Sequence, residues 1–83
     1  MLVRARATSW VLLAADGQKD MEGTLTASAE RMLKAHDNVV VKAGNAAAIE
    51  IWHNGKLLPP LGGENEVRTV VLNRNGIQAA SGN

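Results

Sequence analysis

Apolar and polar residues alternate through the first fifteen positions, and this alternation constrains the fold more than any other feature of the chain. Successive side chains of a β-strand point to opposite faces, so the pattern predicts a strand over residues 2–15 with one buried face. The predicted buried positions are Val3, Ala5, Ala7, Val11 and Leu13, with Ser9 as a polar gap. Asp16 and Gly17 supply the residues of a tight turn, and the chain is predicted to return as a strand over residues 19–25.

Further strand and turn signals follow at short intervals. The predicted strands after the first hairpin cover residues 39–41, 48–53, 56–58 and 67–72. Asn54-Gly55 is the strongest short hairpin signal, and Pro59-Pro60 ends the return strand because proline cannot donate to a β-ladder. Six or seven short strands with frequent turns indicate a β-sandwich or a small barrel. We expect one domain over residues 1–77 and a disordered tail over 78–83.

Residues 26–36 are the ambiguous part of the chain. Ala29 to Ala35 are all good helix formers, and taken alone they favour one short helix. The apolar periodicity is nevertheless poor, since only Met32, Leu33 and flanking alanines could face a core. A short strand through Arg31 to Lys34 is the competing interpretation, and a helix here would suit a small barrel better than a sandwich.

The amino-acid composition argues against several classes of function for this protein. The chain has 83 residues, no cysteine, no phenylalanine and no tyrosine, so its core must be aliphatic and no disulfide or thiolate chemistry is available. The net charge is +1, without a block of like charge, whereas a nucleic-acid surface normally shows a clear basic excess. A single-strand binder would also need basic residues interleaved with aromatics, and Arg4, Arg6 and Trp10 are a thin basis for one. No apolar run approaches the ~20 residues of a membrane span.

No constellation of residues suggests catalysis, so we predict no enzyme, no metal and no cofactor. His36 and His53 are the only histidines and have no cysteine beside them, so they are predicted to be solvated loop residues rather than zinc ligands. Asp16, Asp20 and Glu22 lie near the first turn but lack the ligand spacing of a calcium loop. A solvated turn explains these three carboxylates better than a bound cation.

The two tryptophans are the residues that bear most directly on function. By alternation both Trp10 and Trp52 lie opposite the aliphatic face of their strands. A second layer of structure could cover them, or they could form an exposed aromatic patch that binds a partner. The candidate interaction surface comprises Trp10, Trp52, Glu50, Asn54 and Arg6. Exposed indole rings with such polar neighbours would also suit a carbohydrate-binding module.

The order of the motifs resembles that of the C-terminal domain of RodZ-type bacterial cell-shape proteins. The matching segments are Ser9-Trp10-Val11, Ala15-Asp16-Gly17, Glu22-Gly23-Thr24-Leu25, residues 39–46, Ile49-Glu50-Ile51, Asn54-Gly55-Lys56, Pro60-Leu61-Gly62 and Val67-Arg68-Thr69-Val70. The resemblance spans about residues 4–77. At residues 26–36 it implies a loop and a short strand in place of a helix, although Ala29 and Met32 depart from the glycine and the aromatic residue of the family pattern.

The resemblance implies an immunoglobulin-like β-sandwich of about seven strands. It also implies an extracytoplasmic domain, in the periplasm or at the cell exterior, of a membrane-anchored protein that links the cytoskeleton to wall synthesis. The expected partners are cell-wall synthesis or division proteins, or peptidoglycan, and no nucleic acid. Contact with the membrane is expected only through parts of the full-length protein outside this chain. The family has no catalytic residues to carry over.

Overall fold

The computed structural model describes the backbone of residues 1–82, which form two antiparallel sheets. The strands are β1 (Leu2–Ala5), β2 (Ser9–Ala15), β3 (Gln18–Leu25), β4 (Glu30–Met32), β5 (Val39–Ala43), β6 (Ile49–His53), β7 (Lys56–Leu57), β8 (Arg68–Asn73) and β9 (Gly76–Gly82). The four-stranded sheet has the order β4-β1-β6-β7, and the five-stranded sheet has the order β3-β2-β5-β8-β9. The predicted all-β sandwich is confirmed, with nine strands in this part of the chain, and the alternative of a closed barrel is wrong.

The core lies between the two sheets and is aliphatic, as the composition requires. Its fully or nearly fully buried members are Val3, Ala5, Val11, Leu13, Leu25, Leu33, Val39, Val41, Ala43, Ile49, Ile51, Val70 and Leu72. Leu58 and Leu61, from the loop that joins β7 to β8, pack against this cluster. Each strand that contributes places its inward residues at alternate positions, which is the pattern expected of a sheet with one face on the core.

The first fifteen residues form two strands in different sheets, so the prediction of one continuous strand is wrong. β1 pairs with β4 and β6, whereas β2 pairs with β3 and β5. The alternation persists across the break because both sheets turn their inner faces to the same core. Ala7, on the predicted buried parity, lies in the crossing segment and is exposed. The chain crosses between sheets there, and a periodicity of side chains cannot detect such a crossing.

Both predicted dipeptide turns are confirmed. Asp16 and Gly17 have φ of 52° and 80°, and Asn54 and Gly55 have φ of 53° and 76°. Two successive positive φ values are typical of the type I′ turn, whose twist matches that of the strands it joins. The first turn connects β2 to β3 and the second connects β6 to β7.

Residues 26–36 form loops around the three-residue strand β4, and the helix favoured by composition is wrong. β4 pairs with β1, and Leu33 directly after it donates its backbone N–H to the Met1 carbonyl. The only helical segment within residues 1–82 is a 3₁₀ turn over Ala46–Ala48. The loop and short strand that the family resemblance implies are therefore confirmed. Tertiary pairing has overridden local helix propensity, which is a weak preference over so short a segment.

The last strand, β9, extends into residues 78–82, which were predicted from the sequence to form a disordered tail. β9 pairs antiparallel with β8, with Arg68 opposite Gly82 at the far end of the ladder. Asn83 lies outside the described residues. The sequence of residues 78–82 carries no strand signal. Backbone pairing with β8 makes this segment a strand.

Candidate functional site

Four apolar side chains cross the outer face of the four-stranded sheet in a single row. In the strand register, Leu2 lies opposite both Met32 and Trp52, and Trp52 lies opposite Leu57. Directly paired residues share a face with their Cβ atoms about 4.5–5.5 Å apart, so the four side chains are neighbours. Met32 is 61% exposed and Leu57 is 45% exposed, while Leu2 and Trp52 are half-buried. We call these four residues the apolar row.

A row of charged side chains runs beside the apolar row. Arg4 on β1 lies opposite Glu30 on β4 and Glu50 on β6. Its Nε is 3.8 Å from a Glu30 carboxylate oxygen, and the Nε of Arg6 is 4.0 Å from a Glu50 carboxylate oxygen. These contacts are long, and three of the four side chains are 45–66% exposed, so each contact contributes little to stability. We call Arg4, Arg6, Glu30 and Glu50 the charged row; the two rows together form the tryptophan face.

Four of the five residues predicted as an interaction surface lie on or beside the tryptophan face. Trp52 belongs to the apolar row, and Glu50 and Arg6 belong to the charged row. Asn54 lies in the turn that follows β6, where its side-chain amide is 3.4 Å from the His53 ring. The structure places Trp10 elsewhere.

Trp10 lies on the outer face of the opposite sheet, so it is separate from the other four residues. It is the second residue of β2, where it pairs with Thr24, and its carbonyl accepts a hydrogen bond from the Gly44 backbone N–H at 2.8 Å. The residue is 38% exposed. Because the two outer faces point in opposite directions across the shared core, Trp10 and Trp52 are not parts of one surface.

Sequence reasoning missed the residues that complete the tryptophan face. They are Leu2, Arg4, Glu30, Met32 and Leu57. Leu2 and Arg4 alternate with the buried Val3 and so lie on an outer face, but β1 and β6 are far apart in sequence. Recognising that β1 lies between β4 and β6 requires the strand order, and no local pattern in the chain indicates it.

A cavity of about 320 Å³ lies at one end of the sandwich. It is lined by the loop of residues 33–39, by the end of β6 and by the turn between β8 and β9. His36 and His53 both line it, and His53 Nε2 is 2.9 Å from the Arg74 carbonyl oxygen, which ties the two turns together. Within residues 1–82, no three side chains of metal-ligating type are grouped.

The three carboxylates near the first turn each have a partner within the protein. Asp20 pairs with Arg31 of β4 at 2.9 Å, and Glu22 pairs with Lys19 at 3.1 Å. The Asp16 carboxylate accepts hydrogen bonds from three consecutive backbone N–H groups, those of residues 36–38, at 2.7–3.2 Å. The arrangement fastens the β2–β3 turn to the loop before β5.

Hydrogen bonds to the charged form lower the pKa of a carboxyl group. The pKa of Asp16 is held below its ordinary value of 3.8, chiefly by the backbone N–H of His36 and then by that of Asp37. The pKa of Glu66 is lowered in the same way by the Gly63 N–H and by the Arg68 guanidinium, which Glu66 binds at 2.8 and 2.9 Å. Both carboxylates hold loops in place.

Asp16→Asn is expected to destabilise the protein at neutral pH and to have no effect in acid. A folded-state pKa below the unfolded one stabilises the fold above about pH 4, and this contribution disappears as the pH falls through the lowered value. Asparagine tolerates the positive φ of this position, so the turn itself is retained. Urea unfolding of both proteins between pH 2 and 7 measures the difference.

Asp37→Asn is the matched control for this prediction. It removes a carboxylate from the same loop and leaves the Asp37 backbone N–H free to bind Asp16. An Asp16→Asn variant whose loss of stability were the same at pH 2 and pH 7 would contradict the role of the ionised carboxylate.

Comparison with known proteins identifies the family of the chain. Within residues 1–82, no helix is long and apolar enough to cross a lipid bilayer. Neither the curated proteins nor the solved structures include a significant match to this sequence. The family model of the RodZ C-terminal domain matches residues 3–71, which include eight complete or partial strands of the two sheets. The chain therefore belongs to the RodZ C-terminal domain family.

Proposed function

We propose that this chain is a non-catalytic, extracytoplasmic interaction domain of a RodZ-like cell-shape protein. Its partner in this proposal is a protein of the cell-wall synthesis or division machinery. Membership of the RodZ C-terminal domain family supports the cell-shape role. The observation that carries the interaction role is the tryptophan face, where an apolar row crosses every strand of one sheet and remains partly exposed to solvent.

The composition of the tryptophan face suits a protein partner. Tryptophan, methionine and arginine are enriched in protein–protein interfaces, and the binding energy is concentrated in a few such residues surrounded by a polar rim. Trp52 lies on β6, one of the two central strands of its sheet, and the charged row lies along one side of it. The face thus has an aromatic anchor, aliphatic neighbours and a charged border.

The non-catalytic part of the proposal rests on how the acidic side chains are used. Asp16 accepts hydrogen bonds from three backbone N–H groups, and Glu66 accepts one from a backbone N–H and one from Arg68. Asp20 and Glu22 are paired with basic side chains. A general acid or base must instead be free to exchange a proton with a bound substrate. Their contacts give these carboxylates structural roles.

The absence of cysteine from the chain allows a direct test of extracytoplasmic location. The full-length protein, with any cysteines outside this domain replaced, would carry Ala27→Cys at an exposed loop position. A membrane-impermeant maleimide is expected to label it in intact cells. Labelling that requires permeabilised cells would place the domain in the cytoplasm and contradict this part of the proposal.

A cell-shape assay tests the interaction role. The full-length protein carrying Trp52→Ala would replace the native one, and the length-to-width ratio of the cells is expected to fall because the aromatic anchor is lost. Ile77→Lys is the control, since Ile77 is 40% exposed on β9 of the other sheet. Normal rods at equal protein levels with Trp52→Ala would contradict a role for the tryptophan face.

Peptidoglycan is a second candidate partner, favoured by the grouping of Trp52 with Glu50 and Asn54 on one sheet. An indole ring bordered by such polar groups could stack on a sugar ring. Trp10 faces the opposite direction, so a single glycan chain would use Trp52 alone. Titration with soluble peptidoglycan fragments, followed by NMR, is expected to shift the Trp52 indole N–H if sugar binds. An unchanged spectrum at millimolar ligand would favour the protein partner.

A further inference from the structure

The tryptophan face has a pattern that is complementary to itself. A line parallel to the strands, midway between β1 and β6, divides the face into two halves. Three residues on one half have counterparts at the same strand distance from the line on the other half. Leu2 pairs with Trp52 across this line, Met32 pairs with Leu57, and Arg4 pairs with Glu50. Each of these six residues therefore has, at the mirrored position, a residue of matching apolar character or of opposite charge.

We propose that two copies of this chain associate through the tryptophan face, about a two-fold axis that runs along this line. The proposal deepens the interaction role proposed above by naming one partner, a second copy of the chain. Rotation by 180° about the axis places Leu2 against Trp52 of the second copy and Met32 against Leu57 of the second copy. Arg4 faces Glu50 of the second copy, and the reciprocal contact follows by symmetry.

The charges of the tryptophan face suit a second copy of the chain better than a uniformly charged partner. The charged row contains two arginines and two glutamates, so the face has no net charge with which to attract a uniformly acidic or basic surface. Arg4 and Glu50 lie at mirrored positions about the line between β1 and β6. The two-fold rotation therefore sets each of them against the opposite charge on the second copy. Electrostatic complementarity of this kind fixes the register of an interface.

The charged side chains are free to form these contacts. The Arg4–Glu30 and Arg6–Glu50 distances of 3.8 and 4.0 Å lie at the limit for ion pairs. The Arg4 and Glu30 side chains are about half exposed, and the Glu50 side chain is 23% exposed. Pairs of this kind contribute little to folding and can be exchanged for contacts across an interface. The apolar row supplies the area that excludes water between the copies.

Mixing two charge-reversed variants tests the proposal. Arg4→Glu alone sets glutamate against glutamate across the axis, and Glu50→Arg alone sets arginine against arginine. An equimolar mixture of the two pairs every glutamate with an arginine. Sedimentation velocity on this 8.8-kDa chain is expected to show concentration-dependent dimers for the unmodified protein. Each variant alone should dimerise at least about tenfold more weakly, as expected when like charges are juxtaposed, and the mixture should recover dimers.

Leu57→Lys is a second test of the proposed dimer, for the case in which a charge reversal disturbs folding. Leu57 lies on a two-residue edge strand and is 45% exposed, so its replacement should leave the circular dichroism spectrum and melting temperature nearly unchanged while abolishing dimers. Ile77→Lys, on the other sheet, should leave dimers intact. A protein that stays monomeric at millimolar concentration, or dimers that resist Leu57→Lys, would overturn the proposal. Impaired cell shape with Trp52→Ala despite a monomeric chain would show that the interaction role stands and the self-association fails.

Discussion

Leu13→Ala is expected to lower the free energy of unfolding by about 2–5 kcal/mol. Leu13 has no exposed surface and lies on β2, between β3 and β5, where it packs in the core shared by the two sheets. Removing its side chain forfeits hydrophobic transfer energy and leaves a cavity that rigid neighbours fill only in part. A domain of this size has a total stability of roughly 4–12 kcal/mol, so the variant should lose a large share of it.

The same substitution at an exposed leucine provides the control. Leu57→Ala removes the same atoms from a residue that is 45% exposed on the edge strand β7. It should change the unfolding free energy by no more than about 0.5 kcal/mol, as substitutions at the surface usually do. Urea titrations followed by circular dichroism would measure both. Equal losses from the two variants would mean that the core does not lie where the structure places it.

Ala5→Leu is expected to destabilise the protein by about 1–3 kcal/mol, or to prevent folding. Ala5 ends β1 with no exposed surface, and its small side chain is packed beneath the other sheet. Three additional carbon atoms must displace close-packed neighbours or force them from their preferred rotamers. The loss should be visible as a lower midpoint in thermal unfolding.

Ala7→Leu is the matched control, and the pair together tests where the chain crosses between sheets. The alternation of the first fifteen residues assigns Ala5 and Ala7 to the same buried face. In the structure Ala7 lies in the crossing segment and is exposed, so Ala7→Leu should change stability by less than about 0.5 kcal/mol. A loss as large as that of Ala5→Leu would show that one continuous strand runs through this region.

Turns and buried positions could be predicted because both depend on neighbouring residues alone. Asp16-Gly17 and Asn54-Gly55 adopt positive φ, which few other residues tolerate, and each joins two antiparallel strands. Val11 and the other inward-facing strand residues could be identified because successive side chains point to opposite faces of a strand. The helix suggested by residues 26–36 failed because the preference of single residues for a helix is weaker than the backbone pairing of β4 with β1.

The candidate site could be predicted only in part, because local patterns do not show which strands share a sheet. The outward parity of Trp52 and Glu50 was visible in the sequence, and so was that of Trp10. Which outward-facing residues share a surface depends on which sheet each strand joins. Trp10 lies on the five-stranded sheet and Trp52 on the four-stranded sheet, so the two tryptophans are separated.

The sequence by itself determined the all-β class, the two dipeptide turns and the identity of most core residues. These properties arise from backbone sterics and from the alternation of side chains along a strand, which act over a few residues. Only the tertiary structure decided the sheet to which each strand belongs, the crossing at residues 6–8 and the apolar row that joins Met32, Leu2, Trp52 and Leu57. Strand pairing is made by backbone hydrogen bonds between segments far apart in the chain, and backbone groups are the same in nearly every residue.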